Sequence, residues 1–227
     1  TFDTRAQQAY MVDLSTGTVL LEKNAHEPMP PASMSKLMTA YLIFERLHNG
    51  TISLEDTFPV SREAARKGGS KMFVAEGSRA KLSDLIRGIV IQSGNDACIV
   101  VAEGLAGSEE AFAELMNAKA RELGLENSHF TNATGWPDPE HYMTAADLAK
   151  LAQRLLDDFP EYFEFYSERE FEYSGIVQRN RNPVLDRVEG ADGFKTGYTE
   201  DSGYGLTATA ERDGRRLLMV VNGLDSV

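Results

Sequence analysis

The chain has 227 residues, 42% of them hydrophobic and 26% charged, and carries a net charge of −12. That length can bury a core in one domain or in two closely packed lobes, and the acidic balance argues against nucleic acid or an anionic membrane as a direct partner. No apolar run approaches the roughly 18 residues of a membrane span.

The start, TFDTRAQQAY, lacks the basic-then-apolar shape of a leader. It suits a processed, exported chain or a cytosolic one. Cys98 is the single cysteine, so no internal disulfide is expected, and its setting in ACIVVAE predicts a buried, inert thiol. His26, His48, His129 and His141 lack metal-ligand spacing and read as surface or capping residues, so neither a metal nor a cofactor is expected.

In chain order, AYMVDL (9–14) and TVLLEK (18–23) flank Ser15-Thr16-Gly17 and predict a hairpin. After the proline-rich stretch 28–31, residues 33–48 predict a helix apolar almost all round, which places it inside the molecule. A turn-rich segment, 51–81, leads to a helix from about Ser83 that stops at Ser93-Gly94-Asn95; the next starts near Asp96, with Asn95 or Asp96 as its N-cap. Ser108, with Glu109 and Glu110 behind it, caps a helix that Gly124 ends. Thr144 and Asp147 form a capping box before the Leu148, Leu151 and Leu155 stripe, and Pro160 closes that helix. From about 168 strand signals return in REFEYSG, GADGFKTG and GYGLTATAERDGRRLLMVVNG, the last a hairpin turning at Asp213-Gly214. The fold class expected is α/β of the α+β type. N- and C-terminal strands (about 1–50 and 165–227) would form one antiparallel sheet covered by helices, with a helical lobe at about 51–164. A site is expected in the cleft between sheet and lobe.

Three short motifs carry chemistry. Ser33-Met34-Ser35-Lys36 is an S-x-x-K: at helical spacing Ser33 and Lys36 share a face while Ser35 points elsewhere. A serine hydroxyl needs a base to become a nucleophile, and a lysine made neutral by burial can serve. The pattern alone is cheap, with about one match expected by chance in a chain this long, and Ser78-Arg79-Ala80-Lys81 is a second match in a polar setting. Ser93-Gly94-Asn95 puts a hydroxyl and an amide on a tight turn. Lys195-Thr196-Gly197, followed by Tyr198, reads as a strand bordering the cleft: its backbone could pair with an extended substrate, Gly197 would admit ligand closely, and Lys195 would supply charge.

The order S-x-x-K, S-x-N, K-T-G, together with GGSKMFV, DLIRGIVIQSGNDACIVVAE, NRNPVL and GADGFKTGYTEDSGYGL, resembles the serine-type D-alanyl-D-alanine carboxypeptidases, the low-molecular-mass penicillin-binding proteins. The resemblance runs from end to end and implies a β-lactamase/transpeptidase-like fold. It implies Ser33 as acylated nucleophile, Lys36 as general base, Ser93 in the proton relay, Asn95 holding substrate or Lys36, and Lys195 tuning the charge of Lys36 and Ser93. Thr196 would contact the substrate carboxylate, Gly197 and Tyr198 would border the substrate, and the backbone N–H groups of Ser33 and Tyr198 would form the oxyanion hole. The implied partners are a peptidoglycan stem peptide ending in D-Ala-D-Ala and, as covalent inhibitors, β-lactams, in a bacterial periplasm or envelope. Tyr198 stands where some relatives have histidine. A downstream arginine common in the family is not found before Val227, and the family's C-terminal β-domain and amphipathic membrane anchor are not expected within this chain. The rival readings are a serine β-lactamase, whose E-x-x-L-N pattern is matched only up to Leu125 from Glu122, and a non-catalytic wall-binding protein on the same fold.

Overall fold

The structure, a computed structural model, describes residues 3–227. Gln8–Asp13 (β1) and Thr18–Lys23 (β2) form the expected hairpin, its turn fixed by the Asp13 carboxylate, which accepts from the Ser15 N–H at 2.9 Å. The helix expected at 33–48 is two elements: a 3-10 turn at Ala32–Ser35, then Lys36–His48 (α1). Ten of the 13 residues of α1 are buried, as its all-round apolar sequence requires.

Thr57–Pro59 (β3) and Arg79–Lys81 (β4) make a small hairpin that the sequence pattern did not signal, with Arg62–Arg66 (α2) between them. Leu82–Val90 (α3) and Asn95–Ala106 (α4) follow. The N-cap of α4 is Gly94, not Asn95 or Asp96; both of those side chains are used elsewhere. Glu109–Leu123 (α5) begins as expected, with Ser108 Oγ accepting from the Ala111 N–H at 3.1 Å, and ends at Gly124. Ala145–Asp158 (α6) has half of the expected capping box. Thr144 Oγ1 accepts from the Asp147 N–H, but the Asp147 carboxylate accepts from the Asn127 N–H and Ser128 Oγ, tying down the preceding loop. Pro160 does follow the end of α6, and it also starts a short helix, Pro160–Phe163 (α7), since its fixed φ suits a first helical position.

Glu170–Tyr173 (β5) and Ile176–Arg179 (β6) pair only with each other, so REFEYSG leaves the main sheet. Ala191–Thr199 (β7), Gly203–Arg212 (β8) and Arg215–Leu224 (β9) complete that sheet in the order β2-β1-β9-β8-β7. All its neighbours are antiparallel, and the ends of the chain meet in the pairing Tyr10↔Val220. Asp213 and Gly214, both with positive φ (50° and 76°), make the two-residue turn between β8 and β9.

The α6 stripe of Leu148, Leu151 and Leu155 packs across β1 and β9. Each such side chain removed from water contributes roughly 1.5–3 kcal/mol. Helix α1 packs against α3, α5 and α6, while the 3-10 turn ahead of it packs on β7 and β8. The residues of S-x-x-K therefore sit where the helices meet the free edge of the sheet.

Candidate active site

The 3-10 turn decides between the two serines. In a 3-10 helix, i and i+3 eclipse one another, and Lys36 Nζ lies 2.9 Å from Ser33 Oγ. Ser35 is fully buried and donates to the Ala32 carbonyl at 3.0 Å, away from the lysine. Ser33 keeps partial exposure to the cleft.

The Lys36 amine also meets Ser93 Oγ and the Ser93 carbonyl, both at 2.9 Å, and Asn95 Oδ1 at 2.7 Å. Two of these four partners, a carbonyl and an amide oxygen, can only accept. A neutral amine has two N–H donors and one lone pair. With its donors given to those two oxygens, the lone pair is left for a serine hydroxyl. The Asn95 orientation is fixed because its Nδ2 donates to the Gly68 carbonyl at 3.0 Å. Ser93 holds a positive φ of 63°, a conformation costly for a non-glycine residue, and it concentrates local strain at the bend between α3 and α4.

Burial is the main force on both lysines. Lys36 is 1% exposed and Lys195 3%. Desolvation pushes Lys36 down to about 8, and the Arg181 guanidinium acts in the same direction. Lys195 is held well below the ordinary lysine range by burial first, then by the charges of Lys36 and Arg181. Its amine donates to the Thr196 carbonyl at 3.0 Å, so its influence on Lys36 is through space. Cys98 is buried, and desolvation pushes its thiol up to about 12, as an inert sulfur requires.

Strand β7 brings in Lys195, Thr196 and Tyr198 as the free edge of the sheet. Thr196, Gly197 and Tyr198 line the same cleft as Ser33 and Ser93. Gly197 has a second use besides bordering the cleft. A Cβ there would come within 3.0 Å of the Pro31 carbonyl and 3.3 Å of Ala32 and Met34, so its bareness also lets the strand seat against the turn that carries Ser33.

These three converging motifs belong to a chain whose relatives are known. A family model described as D-alanyl-D-alanine carboxypeptidase matches residues 1–226. The chain belongs to the D-alanyl-D-alanine carboxypeptidase family. It is 39% identical over 223 residues to the D-alanyl-D-alanine carboxypeptidase DacD of Escherichia coli, covering 95% of this chain and 58% of that protein. It is 40% identical to DacF of Bacillus subtilis, covering 96% and 57%. The chain thus spans a little over half the length of these curated relatives. The crystal structure of penicillin-binding protein 6B from Escherichia coli superposes with a TM-score of 0.95 at 38% identity, over 100% of this chain and 74% of that one. Penicillin-binding protein D2 from Listeria monocytogenes, in its ampicillin-bound form, gives 0.90 at 29% identity, over 100% and 92%.

With the family in hand, four residues that the sequence reading passed over stand out at this site. Arg181 lines the cleft and donates to Ser70 Oγ at 2.8 Å. Asp96, fully buried, accepts from the backbone N–H groups of Met72, Phe73 and Val74 at 2.9–3.1 Å, which fixes the loop carrying Ser70. Trp136 forms part of the opposite rim. The GGSKMFV and NRNPVL stretches and the acidic residue after Ser-Gly-Asn were the available signals for the first three; nothing local marked Trp136. Other candidates fall away from the site. Ser78 Oγ donates to the Ala75 carbonyl and Lys81 pairs with Glu55 at 3.3 Å on the surface. Glu122 lies on the exposed side of α5, paired with Lys119 at 2.8 Å. His26 and His48 are exposed and His129 partly so, but His141 is buried, contrary to the surface reading: its Nδ1 accepts from the Thr131 N–H at 3.1 Å. Among the described residues no group of three His, Cys, Asp or Glu could hold a metal, and no helix is long and apolar enough to cross a membrane.

Proposed function

We propose that this chain carries the catalytic machinery of a serine D-alanyl-D-alanine carboxypeptidase. The observation that carries the reading is the single Lys36 amine, depressed to about 8 and within 2.9 Å of Ser33, Ser93 and Asn95 at once. In the proposed mechanism Ser33 Oγ attacks the carbonyl of the penultimate D-alanine while neutral Lys36 takes its proton. The developing oxyanion meets the backbone N–H groups of Ser33 and Tyr198, fixed donors that need no reorganisation. The C–N bond then breaks, and Ser93 passes a proton from Lys36 to the departing amine of D-alanine. Thr196 and Arg181, on one wall of the cleft, take the terminal carboxylate, and Lys195 behind them biases the Lys36 proton. In the second half-reaction water replaces the amine, Lys36 removes its proton, and Ser33 is released with the shortened peptide.

The substrate class is a peptidoglycan stem peptide, which places the protein in a bacterial cell envelope or periplasm. β-Lactams would acylate Ser33 and stay, because the departing amine remains tethered in the opened ring; a similar chain is described in ampicillin- and cefotaxime-bound forms. Diacetyl-Lys-D-Ala-D-Ala tests the reading: released D-alanine and covalent labelling of Ser33 by a fluorescent penicillin are expected. Absence of both would sink it, and rapid penicillin turnover without peptide cleavage would favour a β-lactamase.

A further inference from the structure

Two hollows lie back to back beside the reactive turn. One is the cleft itself, about 760 Å³ on this side, with Ser33, Gly69 and Asn95 in its walls. Behind it is a separate hollow of about 480 Å³, between α2, α4 and the start of α5. That outer hollow sets four carboxylates, Glu63, Glu103, Glu109 and Glu110, against Arg66 and Lys67, so it is polar and acidic. The partition between the two is Trp136 and a strip of two glycines. Trp136 borders both hollows, Gly68 the outer one and Gly69 the cleft.

The strip is thin because it carries no side chains. Asn95 holds it from the inside: Nδ2 donates to the Gly68 carbonyl at 3.0 Å, and the Asn95 N–H to the Ser70 carbonyl at 2.7 Å. A Cβ on Gly69 would fall 2.6 Å from Asn95 Nδ2, so the amide lies directly against that backbone. The indole closes on the strip from the other side. Its Cη2 and Cζ3 would stand 3.5 Å from a Cβ on Gly68 and on Gly69. Lys67, which lines the outer hollow, sets its ammonium 4.2 Å from the ring centroid and holds the ring there. The backbone of Trp136 is fixed separately, since Asn132 Oδ1 accepts from its N–H at 3.1 Å and Nδ2 donates to its carbonyl at 3.0 Å.

What the partition protects is the proton of Lys36. Asn95 Oδ1, at 2.7 Å, makes the shortest of the four contacts of that amine. The titratable and charged groups facing the amine are Asp96 and Cys98 on α4, Arg181 after β6 and Lys195 on β7. Dryness outweighs them all in favouring the neutral form. Water reaching Asn95 through the strip would favour the ammonium, and so would the field of the four carboxylates behind it.

We propose that Trp136 is a positioning residue of the active site, its indole pressing the Gly68–Gly69 strip onto the Asn95 amide and sealing the Lys36 pocket against the acidic hollow behind. The inference rests on the serine acyl-transfer reading above and adds to it a residue that reaches Lys36 only through Asn95.

The test uses 6-aminopenicillanic acid, which has no acyl side chain to lie along the indole, so direct contact with substrate does not enter. Acylation is followed by intact-protein mass across the pH range. In Trp136→Ala the midpoint of the pH profile is expected to rise from about 8 by about one pH unit, slowing acylation about tenfold at pH 7 and little once Lys36 is neutral. Trp136→Phe is expected to recover most of that loss. Lys67→Met, which leaves the indole in place but unclamped, is expected to move the midpoint the same way, slowing acylation about twofold at pH 7. A midpoint that stays put in Trp136→Ala overturns the inference alone, whether the rate is unchanged or falls equally at every pH. Where the alanine variant does not fold, a midpoint unmoved in both Trp136→Phe and Lys67→Met overturns it. No acylation of the parent protein by any penicillin overturns the activity reading and the inference with it.

Discussion

The chain contains the same four-residue spacing twice, in two regions that could hardly differ more. Ser33-x-x-Lys36 occupies a 3-10 turn at the head of a buried helix, with serine and lysine in contact at 2.9 Å. Ser78-x-x-Lys81 runs from a turn into β4, where residues three apart point to opposite faces, and Lys81 is 45% exposed beside Glu55. The residue types are equal; what differs is helical phase and dryness. An exposed ammonium keeps its proton and its water, whereas a buried one must either find compensation or give the proton up. Chemistry in this motif comes from its surroundings.

The largest effect that tests the contrast is covalent. Ser33→Ala is expected to abolish labelling by a fluorescent penicillin, with Ser35→Ala and Ser78→Ala still labelled; loss in Ser35→Ala with Ser33→Ala still reactive would overturn the assignment. Next come the lysines. Lys36→Ala is expected to slow acylation by about 10²–10⁴, the usual contribution of a general base, and Lys81→Ala to leave it unchanged in stopped-flow acylation. In the native protein the acylation rate should rise about tenfold per pH unit and level off above about 8, as Lys36 loses its proton. A flat profile between 6 and 8 would contradict this.

The same shift has a signed consequence for stability. Lys36 is about 8 when folded and 10.5 when unfolded, so between those values the unfolded chain binds more protons. Stability is therefore expected to rise from pH 8 towards 10.5, by about 3 kcal/mol from this group alone, and Lys36→Met should flatten that rise in denaturant titrations.

Smaller effects separate the carboxylates that stand near each lysine. Asp96→Ala strips three loop N–H groups of their acceptor and is expected to cost about 1–3 kcal/mol in denaturant melts, with slower acylation as the Ser70 loop loosens. Glu55→Gln, at the surface pair with Lys81, should change stability by less than about 1 kcal/mol. Last is His141, a buried base that, unlike Lys36, has an unpaired nitrogen, Nε2. Burial pushes it down to about 4 from 6.5, with Asp138 opposing and His129 adding to that shift. Its folded form binds fewer protons, so stability should decline as pH falls from 6.5 towards 4, and His141→Gln should reduce that decline in thermal melts.

The terminal hairpins, the buried central helix and the capped helices α5 and α6 were legible because each is set by neighbours in sequence: alternation, a 3.6-residue period, Ser108 and Thr144 at N-caps. Helical spacing also picked Ser33 over Ser35. Less was legible where the answer depended on distant partners. Whether Asn95 caps a helix or grips Lys36 is decided by Gly68 and by a lysine 59 residues away. Strand β5 carries the same alternation as a sheet strand, yet it pairs with β6, and that hairpin delivers Arg181 to a serine 111 residues distant. The packing role of Gly197 was hidden for a related reason: a glycine beside a cleft shows nothing of the backbone behind it until the fold brings Pro31 there. Trp136 gave no local signal, since only the folded chain shows that it borders two hollows.

Two bare α-carbons hold the reactive turn between them. Gly197 presses on it from the strand, and a Cβ at Gly135, whose φ is +86°, would strike the Ala32 carbonyl from the loop side. The turn is seated like a key between two wards, each cut one methyl deep. A single added methyl on either would alter none of the side chains around Lys36 and still displace the Ser33 hydroxyl. Misplacements on the order of 1 Å cost about a hundredfold in rate. The position of the Ser33 hydroxyl is thus set by two residues that carry no side chain at all.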